Sequence, residues 1–424
     1  MKRIFLFIQG ITKSPSKSSF IFDLVICFFF IFACYSIPTC SFLPRLNILT
    51  WILTIAFLSS MVLKIIFINK KMHIDLLIIS FILFGFTIFF SSLLNGFVGF
   101  NLTAVFMISC TAIIYLFSVQ NKHLLLGLSL SLYISTILFL FTFIFSNFSS
   151  LIHFNFDRLG SEFGNINDIA IFLGLGIAMS LYYSFSKVKL LYRILNIILS
   201  LVFIYCGLST GTKMIFLTTT ICLAATIILF FGRKKWYFSI IILSLIAITA
   251  FIVLSLPAFS TLRERLMSML STLFGVDTGQ NTFIDYSSLG RFHMFINGVE
   301  MMARKPLFGY GYHGFHNYSS FGKAWSHNNF SEMLACFGCI GTCLFFFPFV
   351  CAAIGAPKKI KENKQNSIFF IVLLFFFVCM FSFAFDTQKI YSFSIGIIYA
   401  SLVDTKKKYV LSIPLSKKME GQQQ

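Results

Sequence analysis

Apolar residues fill this chain in runs of about 20, the length a helix needs to cross the hydrocarbon core of a bilayer, with short polar connections between them. The runs show no alternation of period two, so a membrane barrel is excluded and helices are the spanning structure that satisfies every backbone group. Read in order, the pattern predicts spans over 20–37, 46–68, 74–94, 102–119, 124–145, 168–185, 191–208, 213–231, 237–259, 329–355, 367–385 and 388–403. Twelve spans place both termini on the same side.

Two connections are long. The first, 146–167, leads directly into the sixth span, and the second, 260–328, is a polar, Gly-, His- and Arg-rich module between two strongly apolar segments. Within the module, Leu262–Phe274 has apolar residues at helical spacing and suits a helix lying on the membrane surface. Residues 275–286 are turn-rich. A second helix is expected from about Leu289 to Ala303, stopped by Pro306. Gly309, Gly311 and Gly314 then make an open loop, and Asn328 or Asn329 caps the tenth span.

Composition agrees with this division. With 58% hydrophobic residues, 11% charged residues and a mean hydropathy of +0.90, the chain lacks the polar surface of a soluble globule and reads as an all-α polytopic membrane protein. Four regions follow: 1–259 with nine spans, the module 260–328, 329–403 with three spans, and a basic tail 404–424. The basic lead before the first span is followed by no small-residue cleavage site, so it is expected to stay attached. Of eleven cysteines, ten lie in apolar segments and only Cys40 in an outer connection, so no disulfide framework is implied. Cys336 and Cys339 are read as small packing residues of a membrane helix.

Charge orients the spans. Lys and Arg divide 23 against 10 between the two sides, and every even-numbered connection is basic, which places both termini in the cytoplasm and the 260–328 module outside. Much of the net charge of +19 is therefore topological, and a nucleic-acid partner is unnecessary. The exceptions are the outer cations Arg158, Lys213, Arg291, Arg304 and Lys305, which sit where the orientation rule disfavours them.

Several of these residues carry candidate chemistry. Arg291 is expected in the first turn of the second module helix, where a cation is disfavoured unless an anion is bound beside it; the alternative is a solvated pair with Asp285 or Glu264. His327 lies at the mouth of the tenth span with Glu332 in its first turn, a place that keeps an imidazole neutral and able to accept a proton; the alternative is an interfacial His beside a capping box of Asn329 and Glu332. Lys213, in Ser209-Thr-Gly-Thr-Lys213, could equally be a snorkelling lysine. The four module histidines do not have zinc-site spacing. Asp23 and Asp386 are carboxylates at membrane depth or near it.

These pieces together resemble the superfamily of O-antigen polymerases and O-antigen ligases, bacterial envelope glycosyltransferases. The matching residues are Arg158-Leu-Gly-Ser-Glu-Phe-Gly-Asn-Ile-Asn167, Ser209–Lys213, Leu289-Gly-Arg291 with Asn297-Gly298, Lys305-Pro-Leu-Phe-Gly-Tyr-Gly311, Ser326-His-Asn-Asn-Phe-Ser-Glu332 and Phe337–Gly341. They keep the family's order, share one side of the membrane and cover about 155–345. The resemblance implies a GT-C-like fold in the bacterial inner membrane. It also implies an undecaprenyl-pyrophosphate-linked oligosaccharide substrate, transfer at the periplasmic face, and neither metal nor cofactor. By the same resemblance His327 is the base, Arg291 binds and neutralises pyrophosphate, and Lys213 and Arg158 add anion contacts, with Glu332, Asn328 and His313 supporting. Lys213 stands where the family usually carries Arg, which supplies charge without the bidentate fork. The implied partners are membrane lipid, a chain-length regulator and a flippase. The Ser326–Gly341 stretch looks more like the polymerase branch, with ligase as the rival and a lipid-linked-oligosaccharide transporter as the reading of another class.

Overall fold

A computed structural model describes residues 17–39, 46–64, 71–98, 102–153, 165–186, 189–231, 236–274, 286–381, 389–403 and 409–412, with a few single positions between them. Helix is nearly the only secondary structure in them. In chain order the longer helices are α1 (Lys17–Thr39), α2 (Leu46–Lys64), α3 (Leu76–Leu94), α4 (Leu102–Gln120), α5 (Lys122–Ser146), α6 (Ile166–Phe185), α7 (Leu190–Ser209), α8 (Lys213–Phe231), α9 (Trp236–Ser255), α10 (Ser260–Phe274), α11 (Tyr286–Arg304), α12 (Asn329–Glu362), α13 (Ser367–Cys379) and α14 (Lys389–Leu402). Each expected span has its helix. Among the described residues eight, α1, α3 to α8 and α12, are long and apolar enough to cross a membrane, whereas α2, α9, α13 and α14 are shorter apolar helices. The protein is an all-α polytopic membrane protein.

The eleventh span was expected over 367–385, but α13 stops at Cys379 and 382–388 lie outside the described residues, Asp386 with them. Among the described residues a single short antiparallel pairing, Lys71–Ile74 against Tyr409–Ser412, joins two segments that the charge pattern assigns to one side.

The bundle is built round α6, which packs on α5, α7, α8 and α13 and is buried along most of its length. Its Gly174 and Gly176 face the rings of Phe375 and Phe203 so closely that a Cβ would sit 2.5 and 2.3 Å from them, the small-residue packing that substitutes for hydrophobic driving force in lipid. Large apolar side chains such as Ile52, Phe86, Leu201 and Phe251 line the outer surface, the inside-out face that lipid demands. Two polar contacts are buried at the end opposite the 260–328 module. Lys64 pairs with Asp23, which also accepts from Asn121, and Tyr115 donates to Asp75, the residue that caps α3. Asp23 is thus an ion-pair partner inside the bundle, as its desolvation requires.

Hydrogen bonds gather the other end. Leu159 N–H donates to Ser209 O (3.3 Å), Arg265 Nη1 to Gly211 O (2.7 Å), Lys305 Nζ to Asn95 Oδ1, and Asn329 N–H to Met380 O (2.8 Å). The end of α3, the α7–α8 turn, α10, the 305–328 connection and the start of α12 therefore share one face. A second apolar core, with Phe84, Ile88, Met301, Tyr312, Phe315 and Phe337, fastens that connection to α3 and α12.

Candidate active site

The start of α12 is a fixed platform. Asn328 is its cap, accepting from Phe330 N–H (2.9 Å) and Ser331 N–H (3.3 Å), while Ser326 Oγ donates to Asn328 O (2.8 Å). The expected capping box of Asn329 and Glu332 does not form. Glu332, fully buried, reaches one residue beyond His327 and accepts from Ser326 N–H (3.2 Å), with the Cys336 thiol donating to its other oxygen (3.5 Å). With Asn328 as cap, Glu332 lies one position past the one that bonds back to the cap, so its carboxylate meets the preceding bend. Cys336 consequently has a polar partner as well as a packing place.

His327 sits in that bend with φ 51°, a left-handed conformation that a residue with a Cβ adopts only when its neighbours hold it. Its side chain is exposed. Its pKa is lowered from the ordinary imidazole value, first by partial burial and then by the charge of Arg291. The imidazole is neutral at pH 7 and can take a proton.

Arg291 arrives on α11. This helix crosses the first turn of α12 so tightly that a Cβ on Gly298 would lie 2.6 Å from Ser331 Cβ. Arg291 is seven residues before Gly298, two helical turns along the same face, and so points its charge along the side that meets α12. One expectation is corrected here. α11 begins at Tyr286, because 286–289 continue the helix and Gly290 is tolerated inside it, so Arg291 lies past the first turn and the helix-terminus argument for it does not apply. Its place beside His327 comes from helix crossing.

Lys213 is the first residue of α8 and is half-buried. The turn before it is tightly held: Thr210 Oγ1 donates to Gly207 O (2.7 Å) and lies 3.1 Å from Thr212 Oγ1, and Gly211 takes φ 62°. Arg265 of α10 donates to Gly211 O from the module side. α10 touches both α8 and α11, which joins Lys213 to the Arg291 region through one helix, while the packing of α11 on α12 brings the Arg291 charge near enough to act on His327. Arg158 and Glu162 lie outside the described residues; Leu159, next in the chain, bonds to Ser209 at the Lys213 turn.

The Lys305–Gly311 segment does more than form a loop. α12 is interrupted at Gly338 (φ 61°, ψ −161°), nine residues in, about 14 Å at 1.5 Å per residue. The segment fills the gap. Tyr310 and Gly311 N–H donate to Ala335 O (2.9 Å) and Cys336 O (2.8 Å), and Cys339 and Ile340 N–H donate to Pro306 O (2.7 Å) and Leu307 O (3.3 Å). Ser91 of α3 donates to Phe308 O and Cys336 O, and Asn95 Nδ2 to Gly309 O (3.2 Å). Irregular backbone at this depth is permitted because protein satisfies it.

His313 is stacked on Tyr312 at 4.1 Å and met edge-on by Trp325 at 4.7 Å. Burial, then the neighbouring His316, pushes its pKa down to about 4. Sequence reasoning missed Arg265, Ser91, Asn95 and Trp325 as parts of this face. Only Arg265 left a trace, as one more cation on the disfavoured side. Among the described residues no three His, Cys, Asp or Glu side chains gather as a metal set.

Residues 195–346 match the family model described as O-antigen ligase, a range that takes in Lys213, Arg265, Arg291, His327 and Glu332. No curated protein matches the chain. Residues 195–346 are thus similar to the O-antigen ligase family, consistent with the polymerase and ligase superfamily, within a multi-pass membrane protein. That family is one of glycosyltransferase-like enzymes of O-antigen processing, which is common ground for both branches.

Proposed function

We propose that this protein is an O-antigen polymerase of the bacterial inner membrane, joining undecaprenyl-pyrophosphate-linked oligosaccharide repeats at the periplasmic face, with both termini in the cytoplasm. The observation that carries the reading is the pairing of a neutral, exposed His327 with the Arg291 charge beside it. In the proposed step an acceptor hydroxyl gives its proton to His327 as its oxygen forms a bond to the donor's anomeric carbon. The bond from that carbon to the pyrophosphate oxygen breaks, and the electron pair leaves with undecaprenyl pyrophosphate. Arg291, with Lys213 and Arg158, neutralises the charge that grows there. Glu332 and Asn328 fix the bend that carries the base. A chain-length regulator and a flippase are the partners this role needs.

The second reading is an O-antigen ligase transferring finished polymer to lipid A-core, favoured by the description of the matching family. A deletion strain separates them. Loss of a polymerase leaves lipopolysaccharide with a single repeat, and loss of a ligase leaves none. Complementing that strain with His327→Ala at normal protein level must fail; an unchanged chain-length distribution would remove the enzymatic reading altogether.

A further inference from the structure

The connection from Tyr310 to Trp325 holds eight aromatic or imidazole side chains in sixteen residues. Tyr312 and Phe315 are buried in the second apolar core and Tyr310 packs against it, which explains these three. The rest are not so spent: His313, His316 and Trp325 are half-buried, and Tyr318 and Phe321 are 44% and 38% exposed. Three of these rings form a built cluster. Trp325 lies 4.9 Å from His316 at 38°, and 4.7 Å from His313 edge-on, while His313 rests on buried Tyr312. The stack has a fixed back and presents rings beside the base, since Trp325 is two residues from His327, at most about 7 Å along an extended chain.

We infer that Trp325, His316 and His313 form a sugar-binding subsite beside His327, holding one pyranose of the lipid-linked oligosaccharide; the inference rests on the glycosyl-transfer reading above. A pyranose has an apolar C–H face and a rim of hydroxyls, and the cluster offers ring faces for the first and imidazole nitrogens for the second. His313 Nε2 is buried with no hydrogen-bond partner among the described residues, the kind of atom that a ligand hydroxyl completes. The subsite is not built for the pyrophosphate, because neutral His313 brings no charge to it. The segment is also held in register with the base: the N–H of Ser326, between Trp325 and His327, donates to Glu332 (3.2 Å). The competing use of such rings is an aromatic belt at the membrane interface.

The test is binding without turnover. Full-length protein in nanodiscs carries Trp51→Phe and Trp236→Phe, so that Trp325 alone reports, together with His327→Ala. The probe is the single-repeat oligosaccharide released from the host strain's own polysaccharide, free of lipid and phosphate. We expect saturable quenching of Trp325 emission, weakened at least tenfold by His316→Ala, and no response to inorganic pyrophosphate. Absence of quenching up to about 10 mM, past the weakest affinity a useful subsite would have, overturns the inference. So does an equal change with lipid composition in the absence of sugar, which marks a belt. In the active background Trp325→Phe should raise KM for the lipid-linked repeat two- to fivefold and Trp325→Ala tenfold or more with kcat within a factor of three; a fall in kcat alone is contrary. If sugar binds while His327→Ala still polymerises, the proposed reaction fails and the subsite stands; if His327 proves essential and sugar does not bind, the reverse holds.

Discussion

The charge of Arg291 on α11 acts on the imidazole of His327 at the mouth of α12, and both it and burial keep that imidazole neutral. A positive neighbour disfavours the imidazolium, so removing it raises the His327 pKa towards the ordinary value. A base works in its unprotonated form, so its activity falls as pH drops through its pKa. Arg291→Gln is therefore expected to move the acid limb of the pH–rate profile to higher pH, besides lowering kcat/KM by about 100-fold if it also stabilises the leaving group. A profile of reduced height and unchanged shape would mean that the two residues act separately.

Glu332 touches no substrate in the proposed reaction and holds the bend that carries His327. Replacing it with Gln keeps an oxygen to accept from Ser326 N–H, whereas Leu leaves that buried N–H unsatisfied, at about 1–3 kcal/mol. We expect Glu332→Gln to retain most of kcat and Glu332→Leu to lose 10- to 100-fold at normal protein level, since a base displaced by about 1 Å suffers that much. Initial rates on a lipid-linked repeat with both variants check this; equal loss in both would assign the carboxylate's charge, instead of its acceptor, the leading part.

Arg265 fixes the turn before Lys213 through Gly211 O. Lysine at 265 can make one hydrogen bond to that carbonyl and alanine none, so Arg265→Lys should keep KM for the lipid-linked donor within about threefold and Arg265→Ala should raise it about tenfold, the equivalent of 1.4 kcal/mol. A purely structural anchor would lower protein level and leave KM alone. Titrating both variants against donor concentration distinguishes the two.

The helices were legible because their signal is a length of continuous apolar sequence, which needs no knowledge of partners. The charge pattern assigned 71–74 and 409–412 to one side, and the two segments do pair. The site was legible only in part. Asn328 and Glu332 are close in sequence and their contacts could be half-foreseen; the error was one of register, Glu332 reaching Ser326 instead of the cap. Contacts between distant segments left almost no mark. Nothing in Ser91, Asn95 or Arg265 as residue types announces that they bond to Phe308, Gly309 and Gly211, over 217, 214 and 54 positions. The first turn assigned to Arg291 failed because a helix start depends on caps that composition marks weakly.

Gly338 shows how a residue remote from the chemistry should control it. Its φ of 61° is open to glycine, and an added Cβ would lie 2.6 Å from the backbone carbon of Leu307, which a rigid chain cannot yield. Alanine there favours a continuous helix. Closing the ladder would take back the Ala335 and Cys336 carbonyls and the Cys339 and Ile340 N–H groups that now hold Pro306 to Gly311. The freed segment connects α11, with Arg291, to the bend with His327, so the pair would lose its register even though neither residue changed. We therefore expect Gly338→Ala to insert and accumulate normally, because a continuous apolar helix spans a membrane at least as well. Its polymerising activity should nevertheless fall at least 100-fold, and protease sensitivity should rise between 305 and 325. Limited proteolysis beside a rate measurement reads both effects. Full activity with normal protection would show that the interruption of α12 is not what aligns Arg291 with His327.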